Sequence, residues 1–398
     1  MYRAVKNKTI KLLFILTVVM QKILLVCSYW LFHVGKKNRW CWVVGVDEIA
    51  NCTRFISESL DQSYSVVFVP CQLYSTNTYN FSLPKMKSTF ARIARIFAGP
   101  VLLGYLCNRA PGFFYVGSSS FLLNRLDARD YEFAFLKRKG KKIANFFCGS
   151  EIRSLVLSIE HANTCKLEIS SHYYKIAHPD LQLDFHEKFI EQLAASSDKY
   201  ADIIFNAPVD QISYLKRKVH PYFYAYPDDS FVKNSEKFDR AGPPIIVHAP
   251  TSIILKGTQL IRAAIKKLQF EGYKFEYVEL MGVTNEVVLS TLNNAHIVIN
   301  ELYAHAPGVL GIEAMASNCA LLTSADRTIE KIWPEGANEA WFVTRCWDIY
   351  DNLKTLLDNP DLVKQYADRG FEWTYKNYRA SVVRENLREV LKLETGIV

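Results

Sequence analysis

Short, uninterrupted apolar runs alternate along this chain with segments whose apolar residues recur every three or four positions. "WCWVVGV" (40–46) predicts a strand, and the following "DEIANCTRFISESL" predicts a helix with Ile49, Cys52, Phe55 and Ile56 on one face. "YSVVFVP" predicts a second strand, and a helical stretch runs from Met86 to Leu106. "GFFYVG", a helix through Phe133 to Lys139, and the strand "KKIANFFCGS" continue the pattern. Strands that are apolar throughout, rather than at every second position, belong to a parallel sheet covered by helices on both faces.

The same alternation restarts after "DRAGPPIIVHAP" (239–250), where Pro243 and Pro244 cannot continue a helix and mark a linker. "TQLIRAAIKKLQF" then puts Leu260, Ile261, Ala264, Ile265 and Leu268 on one helical face, and "KFEYVEL", "HIVIN", "CALLTS" and "AWFVT" predict further strands. From Asp348 to Leu393 only helical periodicity remains. The expected fold class is α/β: two Rossmann-like, doubly wound parallel-sheet domains facing a cleft, with an N-terminal apolar helix and a helical C-terminal tail. The expected bounds are 1–38, 39–240, 241–372 and 373–398, the last packing back on the N-terminal domain. Ligands of such sheets bind outside the carboxyl ends of the strands. The first strand's turn, "VGVDEIAN", has one glycine, so no dinucleotide fingerprint is present.

Composition changes this picture in three places. A chain of 398 residues, 49% hydrophobic and 22% charged, fits two folded domains and excludes wholesale disorder. The net charge of +8 lies entirely in residues 1–40, where Arg3, Lys6, Lys8, Lys11, Lys22, Lys36, Lys37 and Arg39 meet no acid, and the other 40 bases balance 40 acids. A nucleic-acid groove in the main body would need a clustered surplus of its own, so no nucleic-acid partner is expected. Nine cysteines, odd in number and never spaced C-x-x-C, read as reduced small hydrophobes in a reducing compartment, with no zinc site.

From Leu12 to Val34 the apolar run is broken only by Thr17, Gln21, Lys22, Ser28 and His33, and its 23 residues are long enough to span a bilayer. Lys22 at its centre would cost about 2.5–3.5 kcal/mol on insertion, and the flanking bases set no orientation. The stretch is too long for a secretory signal and no small-residue cleavage site follows. Three readings stay open: an interfacial or monotopic helix with basic anchors to anionic lipid, a single signal anchor, and a buried helix or a start placed upstream of Met20. "MQKILLVCSYW" also reads as a first strand.

Candidate chemistry concentrates at two helix starts. In "GVLGIEAMASNCALLTS" (308–324) a helix opens at Gly308 after the strand "HIVIN" and the loop "ELYAHAP". Unpaired amides of Gly308, Val309 and Leu310 there favour a phosphate, and Glu313, one turn further, can accept hydrogen bonds from a ribose diol. Taken alone, the stretch reads equally well as an ordinary loop before a solvated or capping glutamate. In "HAPTSIILKGTQLI", Lys256 and Gly257 follow a strand and open a helix. An ammonium there can neutralise a diphosphate leaving group, although Lys-Gly before a helix is more often surface decoration. His172 and His178 in "SSHYYKIAHPD" read as packed or surface histidines, and no Ser-His-Asp or paired-carboxylate set can be assembled.

Together "HAPTSIILKG", "VELMGVTNEVVLSTLNNAHIVIN" and "GVLGIEAMASNCALLTS" resemble, in order and spacing, the donor-binding domain of GT-B glycosyltransferases of the retaining family 4, also called glycosyl transferases group 1. The resemblance covers residues 240–345 well and 40–240 less well, through "KRKGKKIANFFCGSEIR" and "KYADIIFNAP". It implies the GT-B fold and retaining transfer of a hexosyl unit from a nucleotide-diphosphate sugar. It implies that Lys256 contacts the diphosphate, that Glu313 contacts the ribose, and that the amides of Gly308, Val309 and Leu310 hold the phosphates. Met281, Gly282 and Val283 would pack near the base, while Gly149, Glu151 and Arg153 would face the cleft on the acceptor or sugar side. The glutamate that the family places at the transferred sugar, eight positions before Glu313, is here His305. The arginine usual before the lysine is absent from Thr251 to Leu255, and Cys148 stands where a histidine often precedes Gly-Ser-Asp.

The expected partners are the nucleotide-sugar donor as co-substrate, a glycan or lipid-linked acceptor in cell-surface polysaccharide synthesis, and an anionic membrane surface through residues 1–38. No metal or other cofactor is expected, since no Asp-x-Asp ends a strand, and the expected location is the cytoplasmic face of the membrane. Two rivals are a catalytically silent GT-B module that binds a nucleotide sugar as a scaffold, and a GT-B transferase of polyol-phosphate units.

Overall fold

The computed structural model describes residues 2–34, 39–69, 77–83, 89–123 and 125–396, without the side chains of 2–11, 69 and 89–92. Lys36, Lys37, Pro70, Cys71, Met86 and the side chains of Arg3, Lys6, Lys8 and Lys11 lie outside the described residues.

The N-terminal lobe is built on strands β1 (Trp42–Asp47), β2 (Tyr64–Val69), β3 (Phe81–Ser82), β4 (Gly112–Val116), β5 (Lys142–Phe146), β6 (Ile203–Asn206) and β7 (His220–Pro221). They pair in parallel in the order β3-β2-β1-β4-β5-β6-β7. Every residue of β4 is buried, as an apolar run covered on both faces requires. The edge strands β3 and β7 escape the sequence reading because two residues carry no period, and Pro221 is tolerated only where no ladder donor is needed. The helices are α1 (Tyr2–Leu31), α2 (Cys52–Ser59), α3 (Thr89–Cys107), α4 (Asp130–Arg138), α5 (Leu155–Cys165), α6 (Ser170–Ala177) and α7 (Leu183–Tyr200).

The C-terminal lobe carries β8 (Ile245–His248), β9 (Glu276–Glu279), β10 (Ile297–Ile299), β11 (Ala320–Thr323) and β12 (Phe342–Val343), parallel, in the order β12-β11-β10-β8-β9. Its helices are α8 (Thr258–Phe270), α9 (Asn285–Leu292), α10 (Gly308–Ala316), α11 (Ala337–Ala340), α12 (Ile349–Asp358), α13 (Pro360–Tyr378) and α14 (Ala380–Thr395). On α8 the stripe Ile261, Ala264, Ile265 and Leu268 is buried, whereas Leu260, expected beside them, is exposed. The tail does not begin at 373: Trp373 lies inside α13, its ring 5.1 Å from Trp341. The break comes at Arg379, after which α14 crosses to the N-terminal lobe. There Arg384 donates to the Glu58 carbonyl at 3.2 Å and Arg388 pairs with Asp61. The two inter-lobe passages of the chain meet where Tyr226 N–H donates to the Tyr378 carbonyl and Ala380 N–H donates to the Tyr226 carbonyl.

Helix α1 lies along α3. Val18, Gln21, Leu25, Ser28 and Tyr29 form its buried stripe. Gln21 donates to the Ile96 carbonyl at 2.9 Å and accepts the Leu123 N–H at 2.9 Å. A Cβ on Gly104 would lie 2.7 Å from Tyr29 N and 2.8 Å from Ser28 Cβ, so the two helices touch backbone to backbone and only glycine fits. Lys22, out of place in an apolar run, sits 4.2 Å from the centre of the Tyr131 ring. The opposite stripe of Leu12, Leu16, Val19, Ile23, Val26 and Trp30 is exposed. By length and composition Leu12–Leu31 is able to cross a membrane.

Candidate functional site

A cleft of ≈ 700 Å³ opens between the lobes, at the carboxyl ends of both sheets. Its C-terminal wall starts with β8. His248, the last residue of that strand, has its Nδ1 2.8 Å from the Ile299 carbonyl and its Nε2 2.9 Å from the Thr258 hydroxyl. The carbonyl can only accept, so the ring N–H points at Ile299 and the other nitrogen accepts from Thr258. Burial holds this histidine down at about 4, hence neutral, and it ties the start of α8 to the end of β10. Gly257, at φ +72, caps α8, and a Cβ there would come within 3.1 Å of Leu302. The glycine therefore admits the loop after β10 against the start of α8. That closeness brings the Lys256 ammonium onto the carboxylate of Glu301, an ion pair that lines the cleft.

The same carboxylate reaches the start of α10. Gly308 has φ +66, and a Cβ on it would lie 2.8 Å from Glu301 Oε1. The amides of Gly308, Val309 and Leu310 have no acceptor within the helix, and their residues line the cleft. Lys256, Glu301 and the positive end of α10 thus converge on one point. Glu313, one turn further, lines the cleft as a buried side chain that accepts from Asn285 Nδ2 at 2.8 Å. Burial raises it to about 7, against which the Asn285 bond pulls weakly. Asn285 in turn accepts from Asn51 Nδ2 at 3.4 Å, a polar contact between the two lobes. Met281, Gly282 and Val283 line the same wall.

The N-terminal wall is different. Gly149 and Arg153 line the cleft, but Arg153 is committed: its Nε donates to the Asp210 carbonyl at 2.6 Å and its Nη2 to the Asp210 carboxylate at 2.8 Å. Burial pushes the Asp210 carboxyl up, and the Arg153 guanidinium with the His305 contacts more than reverses this, leaving it below its usual range. Glu330 of the C-terminal lobe accepts the N–H groups of Val209 and Asp210 at 2.7 and 2.9 Å, so this loop is clamped between the lobes. Among the described residues, Arg153 and Lys256 are the basic side chains lining the cleft, against the acids Asp210, Glu301 and Glu313.

Two sequence-derived candidates fall elsewhere. Glu151, expected to face the cleft, folds back to accept the Cys148 N–H and is not among the cleft residues. His305, expected at the transferred sugar, lines a small side cavity with Asp210 and Tyr303 instead. Its N–H is held by Asp210 at 2.7 Å and its carbonyl by Trp333 Nε1 at 2.8 Å, which turns the ring away from the cleft. Burial lowers its basicity, and neither ring nitrogen has a hydrogen-bond partner among the described residues. His178 lines the cleft, whereas His172 pairs with Glu168 at 3.1 Å. Sequence reasoning missed Glu301 and Asn285. Glu301 is the second residue after β10, and an acid just past a strand's carboxyl end was the signal available.

No protein-family model and no curated protein matches the sequence. Among solved structures the chain is similar to sucrose-phosphate synthase from Thermosynechococcus elongatus, with a TM-score of 0.58 at 10% identity over 90% of this chain and 99% of that one. It is similar to an alpha-glucosyltransferase in complex with UDP-glucose and DNA containing an abasic site, with a TM-score of 0.51 at 11% identity over 88% and 98% of the two chains. A third is MnaA of S. aureus with UDP, with a TM-score of 0.50 at 14% identity over 91% and 98%. These identities speak for the fold, over both lobes: the chain has the GT-B fold.

Proposed function

We propose that this chain is a retaining glycosyltransferase of hexosyl type, which moves a sugar from a nucleotide-diphosphate donor to a glycan or lipid-linked acceptor in cell-surface polysaccharide synthesis. The observation that carries the reading is the convergence of Lys256 and the first turn of α10 on one point of the cleft, with Glu313 one turn beyond. The ammonium and the amides of Gly308, Val309 and Leu310 supply what a departing diphosphate requires, positive charge and donors fixed in advance. Glu313 and Asn285 would receive the ribose hydroxyls, and Met281 to Val283 the base. The bond from the anomeric carbon to the diphosphate oxygen breaks as the acceptor oxygen bonds to that carbon on the same face. The acceptor's proton passes to the departing oxygen. Two of the similar structures, one with UDP-glucose and one with UDP, support a nucleotide-sugar ligand for this fold.

A thermal-shift screen with UDP, GDP, CDP and their sugars tests the reading. A ligand at 100 times its Kd adds about 2.7 kcal/mol of stability, and Lys256→Ala should lose most of that gain. Stabilisation that Lys256→Ala leaves intact would place the nucleotide elsewhere. The pairing of Lys256 with Glu301 and the withdrawal of His305 favour the scaffold reading, in which donor binds without turnover. Donor hydrolysis, measured as released diphosphate, separates the two.

We also infer that the enzyme works at an anionic membrane surface on the cytoplasmic face, with α1 lying on the bilayer. The exposed stripe of α1 supports this, as do exposed Ile93, Phe97 and Val101 on the neighbouring α3 and the eight bases in residues 1–40. A spanning anchor would have to pull Gln21 and Leu25 out of the lobe. Alkaline extraction that leaves the full chain in the membrane would refute the monotopic arrangement. Cosedimentation with phosphatidylglycerol vesicles, abolished by Ile23→Asp with Phe97→Asp, is the result expected.

A further inference from the structure

The family resemblance puts the carboxylate that meets the transferred sugar at position 305, and in this chain that residue is a histidine turned out of the cleft. Another acid stands at the cleft. Glu301 is fixed from its backbone outward: its carbonyl accepts the Ser324 N–H at 2.9 Å and the Thr323 hydroxyl at 3.3 Å. The preceding Asn300 donates to the Pro307 carbonyl at 2.5 Å, closing the loop on itself just before α10. The side chain of Glu301 is 17% exposed, lines the cleft, and meets Lys256 and Gly308.

We propose that Glu301 is the carboxylate that contacts the transferred sugar, replacing in space the acid missing at position 305. This rests on the nucleotide-sugar reading of the cleft. The charge inventory argues for it. Arg153 is spent on Asp210, which leaves Lys256 as the cleft's ammonium for an anionic ligand, and Glu301 holds it. A diphosphate carries at least twice the charge of a carboxylate and also draws on the first-turn amides of α10, so it takes the ammonium from Glu301. The displaced carboxylate is repelled by the phosphates and meets the neutral hydroxyls of the attached sugar, which are donors. As the bond from the anomeric carbon to the diphosphate oxygen lengthens, positive charge grows on the sugar and negative charge on the oxygen. Glu301 then faces the first and Lys256 the second, so the ion pair of the protein is divided across the breaking bond.

The test uses the full chain with UDP, GDP, UDP-glucose and GDP-mannose, read by titration calorimetry and by donor hydrolysis. Glu301→Gln should bind the nucleoside diphosphate severalfold more tightly than the wild type, because a competing charge has gone. It should lose the additional affinity conferred by the sugar and fall about 100-fold in hydrolysis rate, with partial recovery in Glu301→Asp. Diphosphate binding and hydrolysis both within twofold of the wild type in Glu301→Gln would overturn the role of Glu301 alone. Weaker diphosphate binding with an unchanged sugar increment would also overturn it, since Glu301 would then be a mere strut for Lys256. Failure of all four ligands to bind, or unchanged diphosphate affinity in Lys256→Ala, would overturn the donor-site reading and the role of Glu301 with it.

Discussion

The two walls of the cleft are made differently. On the C-terminal wall, side chains that carry charge are aimed at a common point, and glycines at 257 and 308 hold the backbone in conformations that let them converge. On the N-terminal wall, the charged side chains are tied to one another and to the loop between the lobes: Arg153 to Asp210, and the Asp210 loop to Glu330. The Lys256–Glu301 pair stands at the open cleft beside the first turn of α10, whereas the Arg153–Asp210 pair holds a loop that the opposite lobe clamps. A charged residue on a cleft is evidence of binding only after its internal partners have been counted.

Substitutions can break this contrast, and the largest effect should come from Lys256→Ala, with a 100- to 1000-fold loss in kcat, about 3–4 kcal/mol, and an unfolding midpoint close to that of the wild type. Next comes the clamp. Asp210→Ala removes the buried partner of the half-buried Arg153 and should cost about 2–3 kcal/mol of stability in denaturant titrations, below the range for a fully buried pair. Nucleotide affinity measured on the folded fraction should stay within threefold of the wild type. Reversed outcomes for these two variants would mean the walls have been assigned the wrong way round.

Smaller effects sharpen the contrast. Burial lifts Glu313 to about 7 from an ordinary 4.5, so its proton is favoured in the folded state. The stability that this proton confers is complete below pH 4.5 and is lost as pH rises through 7. Ribose hydroxyls donate to the ionised form, so nucleotide affinity should rise as pH rises from 6 to 8, by up to about tenfold, and Glu313→Gln should flatten the profile. Smallest is Asn51→Gly, which keeps the left-handed backbone at φ 64 accessible but removes the contact to Asn285. It should cost about 0.5–1.5 kcal/mol, seen as a modest rise in donor KM with kcat unchanged.

The difference between the walls also explains what could be read in the sequence. The strands β1, β2, β4, β5, β8, β10, β11 and β12 announce themselves as apolar runs, whereas the edge strand β9, EYVE, alternates with acids, and the parallel pairing follows from the helices between them. Lys256, Gly308 and Glu313 are legible because each sits at a fixed offset from a strand end, and local backbone geometry decides where it points. His305 falls outside the cleft because its orientation depends on partners distant in sequence, whereas Glu151 is turned back by the amide of Cys148, only three positions earlier. His305 is turned by Asp210, 95 positions away, and by Trp333, 28 positions away. Glu301 went unnoticed for the same reason: its value lies in Lys256, 45 positions earlier. Helix α1 was ambiguous because an apolar run shows no side until Gln21 is seen bonded to Ile96 and Leu123.

The meeting of the chain's two passages at Tyr226 and Tyr378 carries a mechanical consequence. Both covalent connections between the lobes run through one hydrogen-bonded spot, so the two crossings are laced into a single seam. A relative turn of the lobes would put its backbone torsions on the few residues around 226 and 379, and it would have to release the Glu330 contacts to the Asp210 loop. A crosslink at that seam would restrain such a turn without altering any of the charged residues that line the cleft.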